Sequence, residues 1–564
     1  MYLRTTRRKR KDGTFVTYYQ LAHNVWDKQA QRSTTKVLYN FGRADQYDRD
    51  ALVRLCRSIG RVCGVEVRDP LSDEEQDAEV AAAVEAVEVL RARELGTTWT
   101  VLQLWEKLGI DRLLKRLLAE DGIDRPYDLA LLAMVANRLT EPTSKLGVWE
   151  RWLDKVHLPG APERWSKDWF YEALDFLDKH AEEIEKTVFF EVANLMNLAV
   201  DVVFFDTTTA SFSIDESDPD EALEDGTVEP GLRRFGHAKE GAWEPQVVVA
   251  LAVTREGLPV RSWVFPGNTA DTTVVKRIRE DLRGWKLHRV LMVGDAGMDS
   301  LENREELARA CGRYVLAVRA ASLKEVKHDV LKRAGRYRKV SDNLRVKEVV
   351  VGEGERRRRY LVCHNPAQAE RQRRHREEVL AELEEELARH RDAGAERQWV
   401  ARLRASGRYG RYLHLDDQGR LRIDKKAVRA AERLDGKWVL VTNDDSLSAA
   451  DAAQAYKGLL VIERCFRNMK RVQLHMRPMF HRLPHRIVAH VKLCVLALLI
   501  QRIGELRSGR SWMRIHTALQ KVQAVELRVG SHHFVRRSAV PEDAAELFEA
   551  LDITPPPVIL GHKA

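Results

Sequence analysis

Residues 446–500 read SLSAADAAQAYKGLLVIERCFRNMKRVQLHMRPMFHRLPHRIVAHVKLCVLALLI. The first half is predicted to be one long helix, with Ser446 or Ser448 as its N-cap. Leu459, Ile462, Phe466 and Met469 recur at steps of three and four, which makes a buried stripe. Tyr456, Glu463 and Lys470 recur at steps of seven, almost two helical turns, so they line one side of that helix. Glu463 borders the apolar stripe. It is either a surface residue at the edge of the core or a ligand held over an active site.

Upstream, the texture from Val200 is that of a layered α/β domain with some antiparallel pairing. VDVVFFDTTTASF is a buried strand ending in a polar turn. QVVVALAVTREGLPV and RSWVFPGN form two strands joined as a hairpin through Gly257. ADTTVVKRIREDLRGW is a helix, HRVLMVGDAGM a strand, SLENREELARAC a helix and YVLAVR a strand. Asp206 directly follows one buried run and Asp295 another, at the strand ends where α/β domains collect ligands and catalytic groups. Three carboxylates from separate elements can hold divalent metal through hard oxygens. A pair of such ions about 4 Å apart suits phosphoryl transfer. Arg464, Arg467, Lys470, Arg471 and Arg477 crowd near Glu463 in the chain and could meet phosphates. Taken singly, each aspartate also reads as a turn residue and the glutamate as a solvated one.

At 564 residues the chain exceeds one ordinary core, so three or four domains are expected. We divide it into a small basic β-containing region (1–70), a helical region that binds DNA or dimerises (71–195), an α/β core (196–320 and 446–505), an insertion (321–445) and a C-terminal segment (506–564). The first begins with RRKRK and continues with strand-like FVTYYQLA and TTKVLYNFG, turning at Asp12-Gly13 and Asp27-Lys28. Its cations either touch phosphates or form a solvated face. Residues 72–94 read as an acidic helix or helical linker. The tryptophans between Trp99 and Trp169 read as packing residues. The insertion holds strand-like runs around a long exposed helix with Val379, Leu380, Leu383 and Leu387 at helical spacing. The tail has a short helical unit and a proline run.

Lys plus Arg is 94 against 85 Asp plus Glu, a net +9 that permits a polyanionic partner without requiring one. Six scattered cysteines with no CxxC pair exclude a disulfide framework or a zinc ribbon. The basic start lacks the apolar run of a signal peptide. The greasiest segment, Val491 to Ile500, is interrupted by Lys492 and too short to span a bilayer. A cytoplasmic protein without a membrane partner is expected.

Set side by side, these segments resemble the DDE transposases of bacterial insertion sequences, in the insertion sequence 4 superfamily and the branch typified by element 1634. That family carries its glutamate in the pattern Tyr-x2-Arg-x3-Glu-x6-Lys. Here Tyr456, Glu463 and Lys470 match at the family spacing, and Leu459 stands where the arginine is expected. FDTTTASF and VGDAGMDSLEN resemble the segments of the two aspartates, and GLPVRSWVFPGNTADTTV the hairpin between them. RPMFHRLPHRIVAHVKLCVLALLI resembles the segment on the C-terminal side of the family lysine, and the first residues (MYLR… VLYNFGR) resemble the branch's N-terminus. The likeness covers about 199–505.

The resemblance implies an RNase H-like α/β catalytic core interrupted by a large β-rich insertion domain, after a mostly helical N-terminal region. Asp206, Asp295 and Glu463 would be the catalytic triad and would hold Mg2+ or Mn2+. The implied reaction is cut-and-paste transposition: hydrolysis at the inverted terminal repeats of double-stranded DNA, then attack of the released 3′-hydroxyl on target DNA, by a homodimer bridging two ends. Tyr456 and Lys470 would inherit contacts to phosphates; Leu459 would not, and Arg464 or Arg467, which could compensate, lie on other faces. Some relatives flip a base onto a tryptophan of the insertion, and Trp438 lies in the corresponding strand, where it is equally a core residue. Two other functions stay open: a metal nuclease that cuts without joining, and a non-catalytic DNA-binding or regulatory remnant.

Overall fold

A computed structural model describes residues 1–11, 13–27, 32–65, 87–198, 200–222, 228–239, 241–287, 289–319, 325–354, 357–390, 397–477 and 479–563. The chain divides into two compact units, Met1–Val89 with Leu527–His533, and Leu90–Glu526 with Phe534–Ala564.

In the first unit the basic start is itself a strand. β1 (Tyr2–Lys9), β2 (Phe15–Asp27) and β3 (Arg32–Arg43) form an antiparallel sheet in that order. Alternation of β-branched and aromatic residues in FVTYYQLA supports this pairing. α1 (Arg49–Cys63) follows, capped by Asp48, which accepts from the Ala51 amide at 2.6 Å, and closed by Gly64 at φ 69°. Of the expected turns, Asp12 and Lys28 lie outside the described residues, as do residues 72–86 of the acidic stretch. Val87–Glu94 is a strand, not the helix expected from its acidic composition. Valines at alternate positions, Val87 and Val89, give a period of two that outweighs helix-favouring Glu and Leu.

The second unit opens with the expected helical block: α2 (Gly96–Lys107), α3 (Ile110–Glu120), α4 (Tyr127–Leu139), α5 (Lys167–Lys179) and α6 (Ala181–Leu195). Glu94 caps α2, its Oε1 accepting from the Thr97 amide at 2.6 Å, while its buried Oε2 has no partner. Burial pushes this carboxyl up to about 7 from 4.5. Below 4.5 the group is neutral folded and unfolded and has no effect on the balance. Above 7 it is ionised in both states, and the folded state carries the full desolvation cost. Stability is therefore expected to fall as pH rises across that window. Glu94→Gln should flatten the dependence and raise stability at pH 8 by about 1–3 kcal/mol, read from urea midpoints between pH 4.5 and 8.

Ten strands make one mixed sheet. Beyond the first unit they are, in chain order, β4 (Val202–Ser211), β5 (Arg234–His237), β6 (Trp243–Thr254), β7 (Pro259–Pro266), β8 (Leu291–Gly294), β9 (Arg313–Val318), β10 (Arg338–Ser341), β11 (Leu344–Val351), β12 (Arg358–His364) and β13 (Lys437–Thr442). Their order across the sheet is β7-β6-β4-β8-β9-β13-β12-β11-β10, with β5 added against β6. β4, β8 and β9 are parallel neighbours, and the other pairs are antiparallel. β6 and β7 form the hairpin expected at Gly257. The strands of the insertion thus extend the core's own sheet. The run VVFF explains why β4 is central: Val202 and Phe204 face one apolar layer, Val203 and Phe205 the other. α7 (Asp271–Gly284) and α8 (Leu301–Ala308) cover the second face.

The insertion's helices stand on a small core of their own. α9 (Pro366–Arg389) and α10 (Arg397–Ala405) enclose Val379, Leu383, Leu403, Tyr412, Leu413 and Leu421. This segment leaves and rejoins the sheet at one point, where the Asn365 amide donates to the Gly436 carbonyl at 2.7 Å.

The predicted long helix is two helices, α11 (Ala449–Lys457) and α12 (Leu460–Arg467), followed by a wide turn at 468–472. Ser448 is the N-cap and accepts from the Asp451 amide. The break falls at Gly458 because Phe204 of β4 presses there: a Cβ on Gly458 would sit 2.4 Å from its ring. Gly458→Ala should cost about 1–3 kcal/mol through this overlap, although alanine is the better helix former. A urea midpoint equal to that of the parent would show that Phe204 does not set the break. The stripe of Leu459, Ile462, Phe466 and Met469 is buried as expected.

α13 (Pro484–Ser508) is long and apolar enough, by length and composition, to cross a membrane, but 89% of its apolar window is buried inside the protein. It runs through the helical layer beside α4 and α5. Lys492, which interrupts its apolar run, is neutralised by Glu185 of α6 at 2.7 Å and also donates to the Ser262 carbonyl of β7. The tail is not merely appended: the Trp512 indole is buried and donates to the Leu139 carbonyl at 2.7 Å.

Candidate active site

The two aspartates meet because of strand register. β8 pairs with β4 as Leu291↔Val202, Met292↔Val203 and Val293↔Phe204. Carried two residues further, the same register sets Asp295 beside Asp206. Both continue the parity of Phe204 and Val293, whose side chains belong to one apolar layer, so both carboxylates face that layer's side of the sheet. Gly294 allows the approach, since a Cβ there would lie 2.7 Å from the Phe205 ring.

Glu463 reaches the same side through the broken helix. α12 packs on the β6–β7 hairpin, with the Cys465 thiol directed at the Gly257 carbonyl, and it leaves Glu463 exposed. Tyr456, at the end of α11, completes the group: its hydroxyl donates to Asp295 Oδ1 at 3.2 Å. Burial raises the phenol's pKa first, and the negative charges of Asp295, Glu463 and Asp206 raise it further. Asp295 touches this hydroxyl, and the charges of Glu463 and Asp206 act on it at longer range.

Asp206 is the more enclosed aspartate. Burial raises its carboxyl, Asp295 adds to the rise, and Lys239 and the Thr207 amide (2.7 Å) oppose it. Lys239 was not singled out in the sequence. Its ammonium lies 3.3 Å from Asp206 Oδ1 and 3.8 Å from Asp271 Oδ2, and it also donates to the Thr207 carbonyl. Asp271, in the first turn of α7, accepts from the Thr207 hydroxyl and was missed as well. The signals for these two, a lysine flanked by glycines before a strand and an acid at a helix start, are too common to have found them.

The remaining candidates are spread more widely. Arg464 and Arg467 are exposed on α12, whereas Lys470 is buried, at 9% exposure. The side chain of Arg471 lies outside the described residues. Leu459, in the place of the family arginine, is packed in the core at 6% exposure. Trp438 is half-buried against the core, and its indole nitrogen has no partner. Among the described residues, no group of three or more His, Cys, Asp or Glu side chains lies close enough together to hold a metal ion. The triad expected to bind Mg2+ does not form a closed group: Lys239 sits on Asp206, Tyr456 on Asp295, and Glu463 stands out in solvent.

Two family models match the family that the sequence resembles. The family model described as "Transposase DDE domain" matches residues 198–500, and "IS1634 family transposase, N-terminal domain" matches residues 3–69. No curated protein matches the chain. Among solved structures, the piggyBac transposase synaptic complex with hairpin DNA is similar over 75% of this chain and 70% of that one, at 10% identity and a TM-score of 0.32. With a match over more than half of its length that spans Asp206, Asp295 and Glu463, the chain belongs to the DDE transposases, on their IS1634 branch.

Proposed function

We propose that the protein cleaves DNA at the inverted terminal repeats of its own element and joins the released 3′-hydroxyl to target DNA, acting as a homodimer across two ends. The observation that carries this reading is the register that sets Asp295 beside Asp206 on the face reached by Glu463. In it these three carboxylates carry the chemistry, on an RNase H-like core. Arg464 and Arg467, exposed on the glutamate's own helix, would hold the strand's phosphates. Trp243, exposed beside the loop that holds Lys239, adds an aromatic face on which a base can stack; Trp438 could do so only by leaving its half-buried place. Carboxylate oxygens suit a hard divalent ion, Mg2+ or Mn2+, as cofactor. The arrangement does not fit such an ion as it stands, because the group is not closed.

The competing function is a non-catalytic DNA-binding remnant, favoured by that open arrangement and by Leu459. The assay that separates them uses a duplex carrying the element's own end and a target plasmid, in Mg2+. Cleavage followed by joining supports the transposase. Cleavage without joining makes the protein a nuclease, and tight end binding without cleavage makes it the remnant.

A further inference from the structure

We propose that one face of the β1–β2–β3 sheet reads the terminal repeats, its central strand lying over base edges in the major groove and its outer strands against the phosphates on either side. This rests on the reading above that the protein acts at the ends of its own element.

Charge is divided by strand. β1 carries four Arg or Lys and β3 three, whereas β2, between them, carries none over its 13 residues. The central strand holds neutral hydrogen-bonding and aromatic groups instead. The outer strands of a three-stranded sheet stand about 10 Å apart, within a major groove about 12 Å wide. Laid in such a groove, cationic edges meet the phosphate walls, which set position. A neutral centre meets the bases, which set sequence.

Register selects the face. Arg7 pairs with Thr17, Thr5 with Tyr19, Leu3 and Tyr39 both with Leu21, and Lys36 with His23, so these side chains share one side. Every described side chain on that side is at least partly exposed. Thr17, Tyr19 and His23 line its centre, with Arg7 and Lys36 at its flanks. The one acid of the three strands, Asp27, stands at the far end of β2, opposite Arg32. Two copies packed on this face would bring like charges together, whereas a polyanion relieves their repulsion. The opposite face is already engaged. Ala22 is fully buried at its middle, the Tyr2 and Thr35 hydroxyls donate to Asn24 Oδ1 at 3.0 and 3.2 Å, and Arg43 is paired with Asp45.

The test is fluorescence anisotropy of the full chain in EDTA, on a labelled duplex carrying the element's end and on a scrambled duplex of equal length, across a salt series. The parent should prefer its end. Arg7→Gln with Lys36→Gln should weaken binding to both duplexes about fiftyfold at about 0.1 M salt and lower the slope of log affinity against log salt by about 2. Thr17→Val with Tyr19→Phe should narrow the preference for the end about tenfold and leave the slope unchanged. Arg4→Gln with Arg8→Gln, which removes the same charge from the opposite face, should stay within about threefold of the parent. Melting midpoints equal to the parent's certify the fold, and the single variants are read where a pair does not fold. Equal losses from the two charge pairs overturn the choice of face. A parental end preference in every variant overturns the sheet as reader. So does a change of oligomeric mass without DNA that leaves the preference intact, since it puts a second copy on this face. In each of these results the parent's preference keeps the transposase reading, whereas a parent that binds both duplexes alike overturns both.

Discussion

Asp206→Asn, Asp295→Asn and Glu463→Gln should each lower cleavage at the element's end by about 10³-fold or more, with affinity for the same duplex changed by less than about threefold. These substitutions keep shape and remove one charge. Asp206 and Asp295 lie beside each other, and burial together with that neighbour already raises the Asp206 carboxyl. Burial of the charge outweighs the pairing with Lys239, so neutralising Asp206 relieves a desolvation cost, and the variant should be at least as stable as the parent toward urea. An active site whose residues are unfavourable to folding is a common compromise between stability and function. Loss of cleavage with stability retained is the signature expected of a group kept for chemistry. A variant that cleaves at the parental rate removes that carboxylate from the assignment.

Glu185→Ala should cost about 3–5 kcal/mol, the largest stability loss we expect from a single truncation. Glu185 accepts from the Ser262 amide (3.1 Å), the Ser262 hydroxyl (2.5 Å) and Lys492 (2.7 Å). The paired side chains are 9% and 10% exposed. One carboxylate thereby ties α6, β7 and α13 together. Its removal leaves a buried ammonium that keeps, among the described residues, the hydrogen bond to the Ser262 carbonyl but no paired carboxylate in contact, which is why breaking such a pair costs far more than the pair contributes. The double variant Glu185→Leu with Lys492→Met should recover most of the loss, because no charge remains to be desolvated. A urea midpoint for Glu185→Ala close to the parent's would show that water reaches Lys492.

The elements that carry the candidate residues could be read in part from the sequence. The runs VVFF and VLMVG announced strands, and Asp295 stands at the end of its strand as expected, but Asp206 lies inside β4, which runs on to Ser211 because its partner β6 continues to pair with DTTTAS instead of letting it turn away. The apolar steps from Leu459 to Met469 gave the buried side of the glutamate's helix, and its border position correctly left Glu463 outside the core. What could not be read was non-local. Val293 and Phe204 are neighbours only because two strands about ninety residues apart run parallel in one register. The helix break needed the Phe204 ring, although Gly458 was visible as a weak point. Lys239 acquires its meaning only when a turn after β5 folds back over β4. At Val87–Glu94 composition pointed to helix, and the alternating valines decided otherwise.

The single crossing at Asn365 and Gly436 has a consequence for how such a chain can vary. Two strands that part and meet at adjacent atoms do not register how much polypeptide lies between them. The seventy residues enclosed there, with their own apolar centre, behave as a detachable cassette. Lineages can lengthen, shorten or replace it without renegotiating the sheet, and a bench scientist can exchange it for a reporter domain whose termini lie equally close.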